Sequence, residues 1–354
     1  MQRSICFAAA VPGSPPPASL LLWRKGGQLG ARKTRTSAHA SGDGSRASSS
    51  GAKGRMLRRL AVLALACAAS LALPAFARAT PIPVRAWYMY ATTLSGLESA
   101  AYQHGCYFAQ HHPGGTRLMV LDFGAARKIN AGTWGALDFG GVRFSNAGIL
   151  AALEAATNGH HNCYTGTGST ILSYGNSNYH MSASGMTSLD AWYAGYYQSA
   201  RTKQLSDYER AHGYNRQSAA AASDMEPAWE GRLLTRQLVN GDTGQGWGLY
   251  YDYGSADGCP SSGSSGSCSN GWGVGDVAYV SYHGAAVPLP EIYYTVNAGQ
   301  WTVVRRWWNA HSSEGYRFWG TTGTTGVGLT PRGGWNALDA RNPGLVRPEL
   351  SCFC

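Results

Sequence analysis

The chain has 354 residues, of which 44% are hydrophobic and 14% are charged, and its formal net charge is +10. The excess basic residues lie at one end: residues 1–79 contain 12 Lys and Arg and a single acidic residue, which leaves residues 80–354 with 17 basic and 18 acidic residues. Because the larger part of the chain is nearly neutral, its net charge provides no general attraction to nucleic acid, and we expect no nucleic-acid partner.

The N-terminal region predicts a leader in two parts. Residues 1–55 are rich in Ser, Gly, Pro and Arg and lack hydrophobic periodicity, which indicates either a disordered segment or an extension upstream of a true start at Met56. Residues 56–79 have the pattern of a secretory signal peptide: two arginines, a short apolar run and an Ala-x-Ala site that ends at Ala79. We therefore expect a secreted protein, cleaved after Ala79, without a stable membrane anchor.

Six cysteines follow the leader, and an even number in an exported chain favours disulfides. The predicted pairs are Cys259–Cys268, which flank a Gly/Ser-rich loop, and Cys106–Cys163. Cys352 and Cys354 are too close in sequence for an easy mutual bridge. The cysteines and histidines lack the CxxC and HExxH spacings of zinc sites, so we predict neither a metal nor an organic cofactor.

Beyond the leader, short apolar or β-branched runs alternate with longer amphipathic stretches, which predict strands and helices respectively. The predicted strands are 85–91, 117–123, 169–174, 218–225, 246–253, 276–282, 291–294 and 316–320. The predicted helices are 94–110, 146–157, 188–212, 230–240 and 297–310, with a last helical start at 330.

This alternation predicts an α/β fold, a single (β/α)8 TIM-type barrel over residues 80–340. The alternative is an open doubly wound sheet, but no Gly-x-Gly-x-x-Gly motif follows the first predicted strand. Residues 341–354 do not complete the helix that precedes them, and we expect an irregular C-terminal tail.

Acidic residues near the predicted strand ends are the candidate catalytic residues, because barrel enzymes react at the carboxyl-terminal face. Asp224 and Glu226 are two residues apart, so both point to the same face and each raises the pKa of the other. A carboxyl that stays protonated near neutral pH suits a general acid, a role we assign to Glu226, with Asp224 orienting and tuning it. The candidates for the nucleophile or base are Asp122, Asp252 and Glu291. A structural role for Asp224 and Glu226, as solvated or backbone-binding residues, is the competing interpretation.

Aromatic residues accompany these acids, since all 20 Tyr and 11 of the 12 Trp lie beyond residue 79. Aromatic rings stack on the apolar faces of sugars, although most of them must pack between the helices and the barrel. The candidate substrate-binding residues are Trp229, Tyr174, Asn176, Tyr253, Tyr282, Tyr293 and Trp319.

The segment from Asp224 to Pro227 resembles secreted (β/α)8 glycoside hydrolases. Lysozyme-type muramidase barrels have Asp-x-Glu at the end of strand four, which Asp224 and Glu226 match. Chitinase-like barrels have a longer Asp-x-x-Asp-x-Asp-x-Glu motif, of which only the last two acidic positions match. Ala219 and Ala222 replace the earlier two.

A third group, the large retaining clan, has Asn-Glu-Pro on strand four and a Glu nucleophile on strand seven. Glu226-Pro227 and Glu291 are similar to this pattern, but Met225 replaces the Asn. The chain also resembles bacterial secreted glycoside-hydrolase-like barrels of unassigned activity, and four residues do not assign it to a family.

These resemblances imply an exported monomer that cleaves glycosidic bonds in a polysaccharide, such as a cell-wall glycan, by carboxylate acid/base chemistry. The alternative is a non-catalytic carbohydrate-binding barrel or a degenerate glycosidase, which the incomplete acidic motif favours.

Overall fold

Eight parallel strands form a ring in the computed structural model, which describes residues 81–354. In chain order the strands are β1 (Val84–Tyr88), β2 (Thr116–Asn130), β3 (Thr133–Leu137), β4 (Arg143–Ser145), β5 (Ser169–Ser177), β6 (Gln217–Asp224), β7 (Tyr250–Asp252), β8 (Ala286–Pro288), β9 (Phe318–Thr324) and β10 (Val346–Phe353). Strands β3 and β4 are an antiparallel extension of β2 outside the ring.

The ring strands pair in parallel in the order β8-β7-β6-β5-β2-β1-β10-β9. Its two ends meet just after β8, where Glu291 forms a parallel bridge with Thr322 of β9. The Ile292 N–H donates to the Thr322 carbonyl at 3.1 Å, and the Thr322 N–H donates to the Pro290 carbonyl at 2.8 Å. The ring is therefore nearly closed, and the predicted (β/α)8 fold class is confirmed.

Seven helices in the described part of the chain alternate with the ring strands. They are α1 (Leu94–His111), α2 (Asn146–Cys163), α3 (Ser188–Ala211), α4 (Arg232–Thr243), α5 (Val274–Tyr282), α6 (Thr295–His311) and α7 (Pro331–Arg341). Side-chain hydroxyls cap several of their first turns: Thr93 accepts from the Gly96 N–H, and Thr187 forms a capping box with Asp190. Such caps satisfy amide groups that have no partner within the helix, and so they fix where each helix begins.

Small residues on β6 make room inside the ring. Ala220 and Ala222 pack with Tyr251 and Leu118 in an interior cluster, whereas Ala221 belongs to the cluster between the ring and the helices. Because side chains alternate along a strand, Asp224 shares the inward face of Ala220 and Ala222.

Two predicted strands are wrong. Residues 276–282 belong to helix α5, whose first turn is fixed by Asp276 accepting from the Gly273 N–H at 2.8 Å. The sixth ring strand is instead β8, which has only three residues, and the segment 291–294 lies beyond its carboxyl end.

The C-terminal segment is also different from the expected irregular tail. It forms β10, which pairs in parallel with β1 on one side and β9 on the other. The predicted strand 316–320, expected to be the eighth, overlaps β9, which is the seventh strand of the ring. The eighth strand is therefore β10.

The two predicted disulfides are confirmed: Cys106–Cys163 joins α1 to α2, and Cys259–Cys268 closes the loop after β7. Cys352 and Cys354 are also paired, contrary to expectation, because alternate residues of an extended strand face the same side. Disulfides indicate an oxidising environment.

The predictions of a missing membrane anchor and of an N-terminal leader concern different parts of the chain. No helix within residues 81–354 is long and apolar enough to cross a membrane. The predicted segments 1–55 and 56–79 lie outside the described residues.

Candidate active site

Four of the predicted catalytic carboxyls converge at the carboxyl-terminal end of the ring. We call this region the mouth, and it comprises Tyr88, Asp122, Asp224, Glu226, Tyr253, Asp257, Glu291, Tyr293 and Phe353. Asp122 and Asp224 lie on β2 and β6, and Glu226 and Glu291 follow β6 and β8. All four are at most 9% exposed. Burial raises the pKa of Asp224, and the charges of the other three raise it further.

Glu226 and Glu291 are hydrogen-bonded to each other through their carboxyl groups. Burial, followed by the negative charge of Glu291, raises the pKa of Glu226 to about 9. Burial raises the pKa of Glu291 only to about 7, because hydrogen bonds from Tyr293 and Glu226 stabilise its ionised form. Glu226 therefore holds the proton, and Glu291 and Asp257 are the two carboxyls that can accept its hydrogen bond.

Asn178 fixes the backbone of Glu226. Its Oδ1 accepts from the Glu226 N–H and its Nδ2 donates to the Glu226 carbonyl, each at 3.1 Å. Nδ2 also donates to the Thr235 hydroxyl at 3.0 Å. Sequence reasoning missed Asn178, although its place just after the third predicted strand could have indicated it.

The two aspartates lie in different polar surroundings. The Gly124 N–H donates to Asp122 Oδ1 at 2.8 Å, and burial raises the pKa of Asp122 to about 7. Asp224 is 4% exposed, and its Oδ1 has no hydrogen-bond partner among residues 81–354. Asp122 Oδ2 likewise has no partner there, so each aspartate presents one unpartnered oxygen at the base of the mouth.

Asp257 is a fifth carboxyl that sequence reasoning missed. It lies on the loop closed by Cys259–Cys268, and it hydrogen-bonds to Glu226 through its side chain. The loop is held in place because the Ser269 N–H donates to the Asp257 carbonyl at 2.9 Å, and Gln300 donates to the Cys259 carbonyl at 2.9 Å. The sequence could have indicated Asp257, because it is an acidic residue two positions before a cysteine of the predicted Cys259–Cys268 disulfide.

Asp252 does not join the other carboxyls, although it ends strand β7. Its Oδ2 accepts from the Ser281 hydroxyl of α5 at 2.5 Å, and its Oδ1 accepts from the Gly254 N–H at 3.1 Å. Tyr250, two residues earlier, packs with the helices, so Asp252 shares that outward face. It connects β7 to the helix layer.

Three of the predicted substrate-binding residues lie in or beside the mouth. Tyr293 hydrogen-bonds to Glu291 and lies 3.1 Å from the Thr324 hydroxyl. Tyr253 lies against Asp122, and its hydroxyl donates to the Asn176 carbonyl at 3.1 Å. Trp229 is half-buried in the turn after Glu226 and packs edge-on against Tyr179.

The other four predicted binding residues serve the packing of the barrel. Tyr174 donates to Asn146 of α2, and Asn176 donates to Gln198 of α3. Tyr282 lies on α5 and stacks on Tyr316, with ring centroids 5.0 Å apart. Trp319 is the second residue of β9, so it lies at the opposite end of the ring, edge-on to Tyr251 and covered by Arg347.

Tyr88 and Phe353 form an aromatic pair that sequence reasoning did not single out. They end the adjacent strands β1 and β10, and their rings stack with centroids 4.3 Å apart. Burial and the charges of Asp224, Asp122 and Glu291 raise the pKa of Tyr88. Phe353 belongs to the segment that was expected to be an irregular tail, which explains the omission.

Within residues 81–354, no group of three or more His, Cys, Asp or Glu side chains is arranged to hold a metal ion. Comparison with known proteins gives no family model, no curated protein and no solved structure that matches the chain significantly.

Proposed function

We propose that this protein is a glycoside hydrolase-like barrel that cleaves a glycosidic bond in a polysaccharide, such as a cell-wall glycan. The observation that supports the proposal is the Glu226–Glu291 pair, in which a protonated carboxyl faces an ionisable one at the end of a barrel where such enzymes react. Two carboxyls with separated pKa values are what acid/base hydrolysis of a sugar linkage requires.

In this mechanism, Glu226 gives its proton to the leaving-group oxygen and Glu291 is the second carboxylate. The charge of Asp257 raises the pKa of both glutamates, which helps to keep a proton on the pair. Glycosidase carboxyls are about 5 Å apart in retaining enzymes and roughly 6.5–9.5 Å apart in inverting ones. The separation of Glu226 and Glu291 around a bound sugar would set the stereochemistry.

Aromatic side chains support a carbohydrate substrate. Tyr88, Tyr253 and Phe353 lie beside the carboxyls, and Trp229 lies next to them in the turn after Glu226. Of these rings, Tyr88 and Trp229 are partly exposed, and they can stack on sugar rings at positions next to the scissile bond.

The decisive experiment is Glu226→Gln, assayed by release of reducing ends from peptidoglycan, chitin oligosaccharides and neutral glucans. We expect kcat to fall by roughly 10²–10⁴-fold while the fold is kept, because the amide cannot donate the proton. Glu209→Gln is the matched control: Glu209 is a buried glutamate on α3 whose pKa burial raises to about 8, away from the mouth. Full activity in Glu226→Gln would refute the assignment.

A non-catalytic carbohydrate-binding barrel is the second candidate. The close pairing of Glu226 with Glu291 favours it, because glycosidase carboxyls lie about 5 Å or more apart. Glycan binding without release of reducing ends, in the natural chain, would decide for this candidate.

We also propose that residues 56–79 direct export and are removed after Ala79, giving a monomeric extracellular protein. The disulfides support an oxidising destination. N-terminal sequencing of protein from the culture medium should give a chain that begins at Thr80, and a start well upstream would contradict the proposal.

A further inference from the structure

The mouth concentrates carboxyl groups, whose pKa values are raised by burial and by the charges of one another. Five carboxyls meet there: Asp122, Asp224, Glu226, Asp257 and Glu291. The neighbouring charges that act most strongly on Asp224 and Glu226 are all acidic. Such a group of carboxyls can ionise together only if a positive charge enters.

Two basic side chains of β2 form contacts outside the mouth. The Arg127 guanidinium donates to the carbonyls of Ala126 and Tyr179, each at 2.8 Å. Lys128 pairs with Asp190 at 2.8 Å. Within residues 81–354, no basic group is among the main charges that act on Asp224, Glu226 or Glu291, so a ligand could provide a positive charge there.

Two oxygens in the mouth, Asp122 Oδ2 and Asp224 Oδ1, lack a hydrogen-bond partner among the described residues. Asp224 Oδ1 is buried on the inward face of β6 and has no hydrogen-bond partner among residues 81–354. A buried polar atom without a partner costs free energy, roughly 1–3 kcal/mol, which a bound donor would recover. The stacked rings of Tyr88 and Phe353 lie beside it, and aromatic faces attract cations.

We propose that the mouth binds an ammonium group, and that the substrates of this site are glycans of amino sugars that carry no acetyl group. The inference rests on the proposed function for the cleavage step but not for the binding step. An ammonium has three donors and a positive charge, so it can satisfy Asp224 Oδ1 and stabilise ionised Glu291 at once. An N-acetyl group or a hydroxyl provides no such charge.

Binding should release protons. Burial holds the pKa of Glu291 and of Asp122 at about 7, so both are partly protonated at neutral pH. A cation favours their ionised forms, and affinity should therefore rise as the pH increases through about 7 while the amine stays charged. The titratable groups that interact with Asp224 are Tyr88 of β1, Asp122 of β2, Glu226 after β6, Tyr253 after β7, Glu291 after β8, and Asp252 behind the ring wall. Asp257 acts on Glu226 and Glu291.

The test is calorimetric titration of the full chain with three tetrasaccharides: glucosamine, N-acetylglucosamine and glucose oligomers. Each titration is run near pH 7 in two buffers of different ionisation enthalpy, which counts the protons released. We expect the glucosamine oligomer to bind at least about tenfold more tightly than the others, with proton release, as a charge-assisted contact requires.

Asp224→Asn should weaken the binding of the glucosamine oligomer about tenfold and leave the affinity for the other two oligomers unchanged. The matched control is Asp242→Asn, because Asp242 is a buried aspartate on α4, also with an unpartnered oxygen among the described residues, outside the mouth. The comparison of oligomers on the natural chain needs no variant, so a poorly folded Asp224→Asn would not prevent the test.

Equal affinity for the three oligomers would overturn the inference, as would a folded Asp224→Asn that keeps the preference for the amine. Cleavage of a neutral glycan without preference for the amine would refute this inference and leave the proposed hydrolysis intact. Binding of the glucosamine oligomer, with proton release but without cleavage, would support this inference while refuting the proposed hydrolysis.

Discussion

At the scale of single residues, the two glutamates of the mouth have different pKa values although their side chains are chemically identical. Glu226 and Glu291 are both buried, but Tyr293 donates a hydrogen bond to Glu291, whereas Asp257 raises the pKa of Glu226 through its charge and its hydrogen bond. The result is a pKa of about 9 for Glu226 and about 7 for Glu291. The acid and base roles follow from these neighbours, not from the residue type.

The Asp257→Asn variant tests this arrangement through the pH dependence of kcat/KM. The natural chain should be most active between about pH 7 and 9, where Glu291 is ionised and Glu226 is protonated. Removing the charge of Asp257 lowers both pKa values, so both limbs of the profile should move to lower pH. The basic limb should move further, because Glu226 also loses a hydrogen bond.

Asp207→Asn is the control for this variant. Asp207 lies on the exposed face of α3, where it pairs with Lys203 and Arg210. Its replacement should leave the profile in place. An unmoved profile in Asp257→Asn would show that Asp257 does not act on the pair.

At the scale of elements, two pairs of outer helices meet backbone to backbone at glycines. A Cβ built on Gly159 of α2 would fall on the carbonyl oxygen of Tyr102 in α1, and one built on Gly105 of α1 would fall on the carbonyl of Ala156. Helices α3 and α4 repeat the arrangement with Gly195 and Gly241. These contacts bring neighbouring helices close enough to cover the ring without large side chains between them.

Gly159→Ala should therefore destabilise the protein. In an ordinary helix, this substitution stabilises by up to about 1 kcal/mol, but overpacking a buried contact costs roughly 1–3 kcal/mol. Urea unfolding followed by circular dichroism measures the difference. Gly114→Ala is the control, because a Cβ there meets no atom within 4 Å and its stability should hardly change. A neutral Gly159→Ala would show that the helices can move apart freely.

At the scale of the whole molecule, the two predicted disulfides serve different parts. Cys106–Cys163 spans 57 residues and joins two helices outside the ring, whereas Cys259–Cys268 spans nine and holds the loop that carries Asp257. A longer closed loop restricts the unfolded chain more, so the first bridge should contribute more to stability. The second should contribute more to the mouth.

Replacing each pair by serines separates the two roles. Loss of Cys106–Cys163 should cost about 4 kcal/mol of unfolding free energy and leave kcat/KM unchanged below the unfolding transition. Loss of Cys259–Cys268 should cost roughly 2–3 kcal/mol and also lower kcat/KM, because Asp257 is no longer held beside Glu226. The contrary result would be a folded Cys259/Cys268 variant with full activity and an unchanged pH profile.

Part of the fold could be predicted because some strands have a hydrophobic pattern that is visible in neighbouring residues of the sequence. Strands 117–123, 169–174 and 218–225 overlap β2, β5 and β6, since their apolar runs are long enough to be distinctive. Strand β8 has three residues, too few for a periodic signal. The helical segment 276–282 has a continuous apolar character that a buried strand shares, which explains its misassignment.

The candidate site shows the same division. The two-residue spacing of Asp224 and Glu226 fixes their common face, so their presence together in the mouth follows from strand geometry. Glu291 reaches the mouth for a different reason from the predicted one, because it follows β8 instead of opening a strand. Asp257 and Asn178 reach Glu226 only through the packing of distant loops, which no local pattern encodes.

The sequence by itself determined the alternation of strands and helices, the two spaced disulfides and the adjacent acids of β6, because each depends on nearby residues or on their spacing. The tertiary structure alone decided which segment closes the ring, that Asp252 turns towards α5, and that Glu226 lies against Glu291. Ring closure and burial depend on residues far apart in the chain, and burial sets the pKa values on which the proposed chemistry depends.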